Sequence, residues 1–332
     1  MDIEFHYYIT YLIASKAGFG KDAKTIAYAS QFVDDNCEIY PINEGEKGNY
    51  SNYISQTMDI TKPTPKLFRI YPLFHFIPGD PLGDTACRKD GKMSLMNTTP
   101  NSKHANTILA AALKTKDLYR IGIACHGYAD TWAHQNFLGY KDGFNSMDGL
   151  LQLILPNIGH ADAMHDPDKV AHTWDDGRLF GERSAINNNG RFLEAASEMF
   201  FRLRNCTSSS VNKQVAEKDC KSLIGQLRTL MSLSREDSRK RAYCEAGLKT
   251  DFGKEAIPEY DWDEWFDQAI RGSYIFERRS YIRRRKHVYN WAVDNHMDTH
   301  WFKFQEAVQA HQNQAWDILK EPVFSRLDLK EL

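Results

Sequence analysis

The chain has 332 residues, of which 42% are hydrophobic, so it is long enough to bury a sizeable core without cross-links. Lys and Arg total 42 against 44 Asp and Glu, and the net charge of -2 excludes a general electrostatic attraction to nucleic acid or to anionic membranes. The six cysteines include no CxxC pair, which excludes a zinc ribbon and favours reduced thiols, with a disulfide between Cys206 and Cys220 as the alternative.

The first segment, MDIEFHYYITYLIASKAGF, has the apolar pattern of a helix and lacks the basic residues with which a secretion signal begins. No run in the sequence reaches the roughly 18 uninterrupted apolar residues of a membrane span. We therefore predict a protein without a transmembrane segment. It would be cytoplasmic, or exported by a route that needs no cleaved signal peptide.

The rest of the chain predicts helices on both sides of one irregular segment. KDAKTIAYASQF opens a second helix, and residues 40–100, with seven prolines, predict a long irregular excursion with short strands. Residues 102–138 have a helical pattern, and MDGLLQLILP predicts a further short helix before a His- and Asp-rich loop. NNNGRFLEAASEMFFRLR begins another helix, and residues 261–320 predict one or two long helices.

Alternating β-branched runs are scarce, so the predicted fold class is all-α. We expect a multi-helix bundle with an irregular excursion near residues 40–100 and a helical C-terminal extension. The predicted division is a metal-binding domain over residues 1–190 and an extension over residues 191–332. The extension would pack on the first part or form one continuous domain with it.

The stretch HGYADTWAHQNF places His126, Asp130 and His134 at intervals of four residues. In a helix these positions share one face, so two imidazoles and one carboxylate project into the same space. The alternative is a solvated polar stripe, but the apolar neighbours predict that most of this helix is buried. A zinc ion would satisfy all three groups.

Other histidines and carboxylates in the first half of the chain are further candidate ligands. His6 lies in the apolar first helix, where a core histidine bonded to a carbonyl is an equal alternative. Asp34 and Asp35 end the second helix, where acidic residues oppose the helix dipole unless a cation compensates. FHFIPGD contributes His75. The loop GHADAMHDPD holds His160, Asp162, His165, Asp166 and Asp168 in ten positions, and spacing does not decide which of them coordinates. The candidate ligands from this loop are His160, Asp162, His165 and Asp168.

The C-terminal part carries weaker signals. HMDTH contains His296 and His300 but lacks the Glu of an HExxH zinc site, so packing roles are favoured. ERRSYIRRRKH predicts a basic helix face that is solvated or docks a phosphate-bearing substrate or partner. The sequence contains no glycine-rich nucleotide loop and no serine-hydrolase elbow.

The ordered candidates resemble the zinc-dependent phospholipase C and single-strand-specific nuclease superfamily, and more closely a bacterial branch of it. The matching stretches are MDIEFHYY, SQFVDD, FHFIPGD, HGYADTWAHQNF and IGHADA, within residues 1–175. The resemblance implies an all-helical fold and two or three zinc ions held by His6, Asp34, His75, His126, Asp130, His134 and His160.

The sequence departs from that superfamily at two places. The secreted enzymes use the amino group of a processed N-terminal residue as a ligand, whereas here five residues precede His6. The superfamily's late GHxxxE pair is also changed, because Met164 follows His160 at the position of the Glu. Asp162, His165 or Asp168 would replace that Glu, or the third zinc would be absent.

The resemblance implies a zinc-dependent phosphodiester hydrolase in which the bound ions activate water. Asp34 or Asp35 would orient that water and take its proton. A phospholipid is the favoured substrate, with peripheral contact to a membrane, because the balanced charge offers no extended basic groove. A single-strand nuclease and a non-catalytic protein with a structural metal are the alternatives. Aromatic residues would line the acyl or nucleobase pocket: Tyr7, Tyr8, Phe74, Phe76 and Trp132.

Overall fold

The computed structural model describes residues 1–57, 64–147, 158–207, 212–279 and 282–327. The fold is 59% helical. The first helix, α1, consists of three consecutive segments, Glu4–Ile9, Thr10–Ala14 and Ser15–Phe19. The other helices are α2 (Ala23–Asp35), α3 (Thr64–Phe68), α4 (Tyr71–Phe74), α5 (Lys103–Thr115), α6 (Leu118–Ala133), α7 (Asn188–Thr207), α8 (Lys213–Met231), α9 (Glu236–Ala246), α10 (Glu264–Ala269) and α11 (His300–Lys320).

Two β-sheets accompany the helices, so the all-α prediction is wrong. The larger sheet has the order β2-β1-β6-β5 and is mixed, because β1 pairs antiparallel with β2 and parallel with β6. The smaller sheet pairs β3 with β4. The strands are β1 (Pro41–Asn43), β2 (Asn49–Ser51), β3 (Thr173–Asp175), β4 (Ala185–Asn187), β5 (Ile270–Arg279) and β6 (Ile282–Trp291).

The long hairpin of β5 and β6 occupies part of residues 261–320, where the sequence predicts one or two long helices, and the long helix α11 lies in the same range. The register joins Ile270 to Trp291 and Gly272 to Tyr289 in an antiparallel ladder. Its strands, IRGSYIFERR and IRRRKHVYNW, are rich in the β-branched and aromatic residues that favour extended backbone. The many arginines among these residues hide the strand pattern in the sequence. The basic run is therefore part of a β-hairpin, and the predicted basic helix face is wrong.

Helix α6 is buried from Ile121 to Ala133 and carries His126 and Asp130, with His134 directly after its last residue. Asp117 precedes its first residue, and the Asp117 side chain accepts hydrogen bonds from the backbone N–H groups of Tyr119 and Arg120. Two glycines allow neighbouring backbone to approach it closely. A Cβ at Gly122 would lie 2.4 Å from the carbonyl oxygen of Ile26, and one at Gly127 would lie 2.6 Å from that of Phe74. The backbones of α2 and α4 therefore lie directly against α6.

Other predictions about the elements have mixed outcomes. The described parts of residues 40–100 are largely irregular, with two short strands and the short helices α3 and α4. The helix predicted for MDGLLQLILP lies almost entirely at positions 148–157, outside the described residues. Cys206 and Cys220 are free thiols. No helix in the described ranges is both long and apolar enough to cross a bilayer.

The predicted division near residue 190 stays a prediction. Side chains from both sides of it share one hydrophobic core. Phe5 of α1 packs edge-on against Phe192 of α7, with ring centroids 5.7 Å apart. Helix α11 contributes Trp301 and Phe304 to the same core. The C-terminal helices thus help to hold α1, α2 and α6 in place around the candidate ligands.

Candidate metal centre

Eight of the predicted ligand side chains form three adjacent groups of potential metal ligands. Three come from α6 or its C-terminal end, and the others come from α1, α2, the residue after α4 and the loop before β3. The groups consist of Asp34, His75 and His126; His6, His126 and Asp130; and His134, His160 and Asp168. Within each group, one ligand atom of every residue lies within 4.8 Å of the others.

The first group has four donors, because Asp130 also faces it. Nε2 of His126 lies 3.0 Å from Nδ1 of His75 and 3.6 Å from Oδ1 of Asp34. Oδ2 of Asp130 lies 3.2 Å from His126 Nε2 and 3.4 Å from His75 Nδ1. Donors about 2.0–2.1 Å from a tetrahedral zinc ion are roughly 3.3 Å apart. The spacing of this group fits such an ion.

The second group shares His126 and Asp130 with the first. Nε2 of His6 lies 3.1 Å from Oδ1 of Asp130, and the rings of His6 and His126 stack with centroids 3.8 Å apart. Neither ring nitrogen of His6 has a hydrogen-bond partner, although the residue is completely buried. Burial and the nearby positive charges lower the pKa of His6 to about 3. The imidazole is therefore neutral, and its lone pair is available to a cation.

The third group uses both oxygens of Asp168. Oδ1 lies 3.1 Å from Nε2 of His134, and Oδ2 lies 3.2 Å from Nε2 of His160. Burial alone would raise the pKa of Asp168, but the adjacent imidazoles and an amino group hold it well below its usual range. Asp168 is therefore an ionised carboxylate at neutral pH and a suitable ligand for a divalent cation.

The amino group of Met1 lies between the second and third groups. It is buried, lies 3.2 Å from Oδ1 of Asp168 and donates a hydrogen bond to Oδ1 of Asp130. Burial alone would lower the pKa of this amine, but the carboxylates of Asp130, Asp168 and Asp34 raise it to about 11. The structure thus places a protonated amino group between the carboxylates of Asp130 and Asp168.

Backbone carbonyls fix the tautomers of four of the histidines. Nδ1 of His126 donates to the carbonyl of Ser30 at 2.8 Å, and Nδ1 of His134 donates to that of His75 at 2.8 Å. Nε2 of His75 donates to the carbonyl of Ser55 at 2.9 Å. Nδ1 of His160 likewise donates to a main-chain oxygen at 2.7 Å. In each ring the second nitrogen is left with its lone pair directed into the cluster, an arrangement typical of metal-ligating histidines.

These lone pairs face each other, which is unfavourable unless a proton or a metal ion lies between them. Burial alone would lower the pKa of His126, but the carboxylates of Asp130 and Asp34 raise it, so the surroundings favour a positive charge at this position. His75 Nδ1 and His126 Nε2 are 3.0 Å apart although each ring already donates its proton to a carbonyl. Oδ2 of Asp130, which has no hydrogen-bond partner, points at the same two nitrogens. A buried carboxylate oxygen without a donor is costly unless a positive charge lies beside it, and the Met1 amino group contacts only Oδ1. The donor set therefore fits metal ions, whose identity the ligands do not specify.

The ligands differ in their access to solvent. Asp130, His6 and His126 are completely or almost completely buried. The side chain of Asp34 is 28% exposed and that of His160 is 19% exposed. Solvent therefore reaches the cluster beside Asp34 and His160, and an exchangeable ligand such as water has access there.

Three predicted site residues lie outside the three groups. Oδ2 of Asp35 accepts hydrogen bonds from Tyr260 at 2.6 Å and from Gln31 at 3.3 Å, which directs this carboxylate away from the ligands. Asp162 accepts a hydrogen bond from the backbone of Met147 at 3.4 Å, and His165 is exposed. Among the acidic and histidine candidates of its loop, the structure brings only His160 and Asp168 into the cluster.

The aromatic residues expected to line a substrate pocket are core residues. Tyr7, Phe74 and Trp132 are completely buried. Phe76 stacks on the ring of His134 with centroids 4.4 Å apart and thereby holds that ligand in place. These side chains position ligands and do not form an open apolar surface.

His296 and His300 lie outside the candidate centre. His296 lies in a short 3-10 turn and stacks on Trp291, whereas His300 begins α11 and lies 2.8 Å from the hydroxyl of Tyr119. The predicted long helix around both residues is wrong. The packing roles predicted for the two histidines match these contacts.

A family model described as "Family of unknown function (DUF6765)" matches residues 1–319 of the chain. The match covers all eight clustered side chains and continues through most of α11. No curated protein and no solved structure matches the chain.

Proposed function

We propose that this chain, which belongs to the DUF6765 family of unknown function, is a metal-dependent hydrolase of phosphodiesters. The observation that carries the proposal is the position of Asp130, whose two oxygens face two adjacent ligand groups, with a third group alongside. A single structural ion needs one closed set of four ligands. Adjacent ligand groups that share a carboxylate are typical of sites where several cations act on one phosphoryl group.

The chemistry follows from the positions of the side chains. Bound divalent cations would lower the pKa of a water molecule and neutralise charge on the phosphoryl oxygens. We assign to Asp34, which is 28% exposed, the roles of orienting that water and accepting its proton. Asp130 has no such access because it is buried and faces ligands through both oxygens. Its role is to hold the first two groups together.

We further propose that the substrate is a phospholipid, with a single-stranded nucleic acid as the alternative from the same superfamily resemblance. The near-neutral net charge supports a substrate that needs no extended basic groove. In both cases the reaction would be attack of water on a phosphodiester with departure of an alcohol oxygen. The two substrates differ in product, since a phospholipid would release diglyceride and a nucleic acid would release nucleotides.

The test is hydrolysis of bis-p-nitrophenyl phosphate by purified protein before and after chelation, followed by addition of zinc. We expect turnover that is lost with the metal and restored by it. Asp34→Asn should reduce turnover by roughly a hundredfold or more, because the proton acceptor and one ligand are lost together. Phosphatidylcholine and single-stranded DNA, assayed in parallel, would identify the substrate class.

Asp162→Asn is the matched control, since Asp162 lies in the loop that supplies ligands but outside the three groups. Its activity should stay close to that of the wild type. A protein that binds metal tightly, loses stability on chelation and turns over none of these phosphodiesters would instead have a structural metal centre, and the proposed activity would be wrong.

A further inference from the structure

We propose that a second pocket, separate from the metal centre, binds a phosphate-type oxyanion. This arginine pocket has a volume of about 370 Å³. The residues that carry the argument are Asp84, Thr85, Gln135, Arg183, Asn187 and Arg191, all of which line it. The inference does not depend on the proposed hydrolase activity, because none of the eight clustered ligands lines this pocket.

Arg191 is the residue that points to a ligand. Arg191 is partly exposed, but its Nη1 is buried without a hydrogen-bond partner, and no hydrogen bond or ion pair joins Arg191 to any other residue in the described ranges. A guanidinium with a buried nitrogen normally has a carboxylate beside it, because burying part of an uncompensated charge is costly. The missing counter-charge is therefore expected to come from outside the chain.

Other arginines of this protein show what a paired guanidinium looks like. Arg178 forms a two-pronged contact with Asp176 at 2.8 and 2.7 Å. Arg239 forms the same contact with Glu4 at 2.8 and 2.7 Å. Arg88 is paired in the same way with the carboxylate two residues later. Arg191 lacks such a partner, and Asp176, the acidic group that raises its pKa, is already occupied by Arg178.

Arg191 keeps its positive charge despite its environment. Burial lowers the pKa of Arg191 to about 10, which leaves the guanidinium protonated at neutral pH. The residue lies in the first turn of α7, a helix of 20 residues, where the helix dipole also favours an anion, although the N–H groups of Asn188 and Gly190 already donate to the carbonyl of His172 and to Oδ1 of Asn187. The helix start and the unpaired guanidinium are independent features on the same side of the arginine pocket.

The other charged side chains of the pocket set its net charge. Arg183 is exposed, and its Nη1 donates to the main-chain carbonyl of Asp84 without using an acidic partner. The carboxylate of Asp84 opposes an anion, so the pocket carries two positive charges and one negative charge. A guanidinium fork matches the geometry of phosphate oxygens, and the amides of Gln135 and Asn187 and the hydroxyl of Thr85 add neutral polar groups.

The ligand is therefore a tetrahedral oxyanion, either inorganic phosphate or the terminal phosphate of a small monoester. A hydrophobic layer separates it from the metal centre. Leu179 and Ile186 line the pocket and pack in one small cluster with Phe76, whose ring stacks on His134. An anion in the arginine pocket is thus separated from the ligand His134 by Leu179, Ile186 and Phe76, and it does not coordinate the metals.

The test measures binding of inorganic phosphate and of phenyl phosphate to the metal-loaded protein by calorimetry, at constant ionic strength. We expect wild-type binding and at least a roughly tenfold loss of affinity in Arg191→Gln, because a charge-assisted contact is removed. Without phosphate, Arg191→Gln should unfold at a higher temperature than the wild type, since an unpaired and partly buried charge has been removed. Arg241→Gln, an exposed arginine of α9, is the matched control and should change neither result.

Two exposed positions keep the test decisive if Arg191→Gln fails to fold. Arg183→Gln should weaken phosphate binding, and Asp84→Asn should strengthen it. Tighter binding of phenyl phosphate would assign the pocket to an ester, and tighter binding of inorganic phosphate would assign it to the free ion. Equal phosphate affinity in the wild type, Arg183→Gln and Asp84→Asn would overturn the proposal, as would no binding to the wild type.

Discussion

Asp130 is the residue on which the candidate metal centre depends most. Oδ1 faces His6 and the amino group of Met1, whereas Oδ2 faces His75 and His126. Burial alone would raise the pKa of this carboxyl, but the surrounding imidazoles and the amine hold it well below its usual range. One side chain therefore serves two ligand groups, and its neighbours depend on its charge.

Replacing the Asp130 carboxylate with a neutral amide should remove metal from the first and second ligand groups. We expect Asp130→Asn to lose the ions of the first two groups and to lower turnover of bis-p-nitrophenyl phosphate by roughly a hundredfold or more. Metal content per chain, measured by plasma mass spectrometry beside the activity, checks both effects. Asp162→Asn should keep the full complement, and a normal metal content in Asp130→Asn would contradict the shared-ligand arrangement.

At the scale of the elements, the close approach of α2 to α6 brings Asp34 of α2 next to His126 of α6. Gly122 permits this approach, because a Cβ there would lie 2.4 Å from the carbonyl of Ile26 and 2.6 Å from the Cβ of Ala29. Ser30, which follows Ala29, supplies the carbonyl that orients His126. Asp34 lies one turn later on the same helix. The packing of these two helices and the geometry of the first ligand group are therefore coupled.

Two glycine substitutions should have opposite effects on stability. Gly122→Ala should destabilise the fold by roughly 1–3 kcal/mol through overpacking, and it should also weaken metal binding because α2 is displaced. Gly225→Ala should stabilise it by about 0.5–1 kcal/mol, because this glycine of α8 has open space and alanine favours a helix. Chemical denaturation of both variants checks the signs. Stabilisation by Gly122→Ala would show that the two helices are not in tight contact.

The interface between α11 and α4 should make stability depend on pH. His311 is buried beside Phe74, and its Nε2 lies 3.2 Å from the carbonyl of Leu73. Burial lowers the pKa of His311 to about 4, from 6.5 in the unfolded chain. Above pH 6.5 both states are neutral at this position and the stability is fully present. Below pH 6.5 the unfolded state takes up the proton first, so stability is lost as the pH falls towards 4.

The effect can be isolated with one variant. At 1.36 kcal/mol per pKa unit, the wild type should lose about 2 kcal/mol between pH 7.5 and pH 5 through this histidine. His311→Gln keeps a donor for the carbonyl of Leu73 but has no titrating group. Denaturation at both pH values should therefore show a smaller loss in the variant. Equal losses in the two proteins would mean that His311 is not buried as a neutral ring.

The spacing of residues in the sequence predicted helix α6 correctly but gave a wrong prediction for the β5–β6 hairpin. The four-residue intervals of His126, Asp130 and His134 belong to one helix and its end, so sequence distance and spatial distance agree there. The strands of the β5–β6 hairpin instead depend on pairing between two segments, and the arginines between them resemble a solvated helix face. The hairpin was therefore predicted as a helix, although its β-branched and aromatic residues carried the contrary signal.

Across the whole molecule, the residues that meet at the metal centre are spread from position 1 to position 168. Residue types predicted the candidates, but they did not decide between Asp168 and Asp162, because that choice depends on the turn of the loop around Ala161–Ala163. The carbonyls of Ser30 and Ser55 that orient the imidazoles have no sequence signature, since every residue carries one. Only the packed structure shows them.

Metal removal should therefore affect the entire fold. Ligands from five separate segments converge on the cluster, and without cations their buried carboxylates and lone pairs repel each other. Binding at a thousandfold excess over the dissociation constant contributes about 4 kcal/mol per ion. We expect chelation to lower the unfolding temperature in calorimetry by roughly 6 °C for each ion removed, with recovery on adding zinc. An unchanged unfolding temperature would show that the apo cluster is stable by itself.

The most direct measurement is anomalous X-ray scattering from a crystal of the zinc-loaded protein, recorded on both sides of the zinc absorption edge. The account predicts strong anomalous peaks among Asp34, His75, His126 and Asp130, and further peaks beside His6 and between His134 and Asp168. A map with no peak near Asp130, or with zinc bound only at the distant His296 and His300, would contradict it.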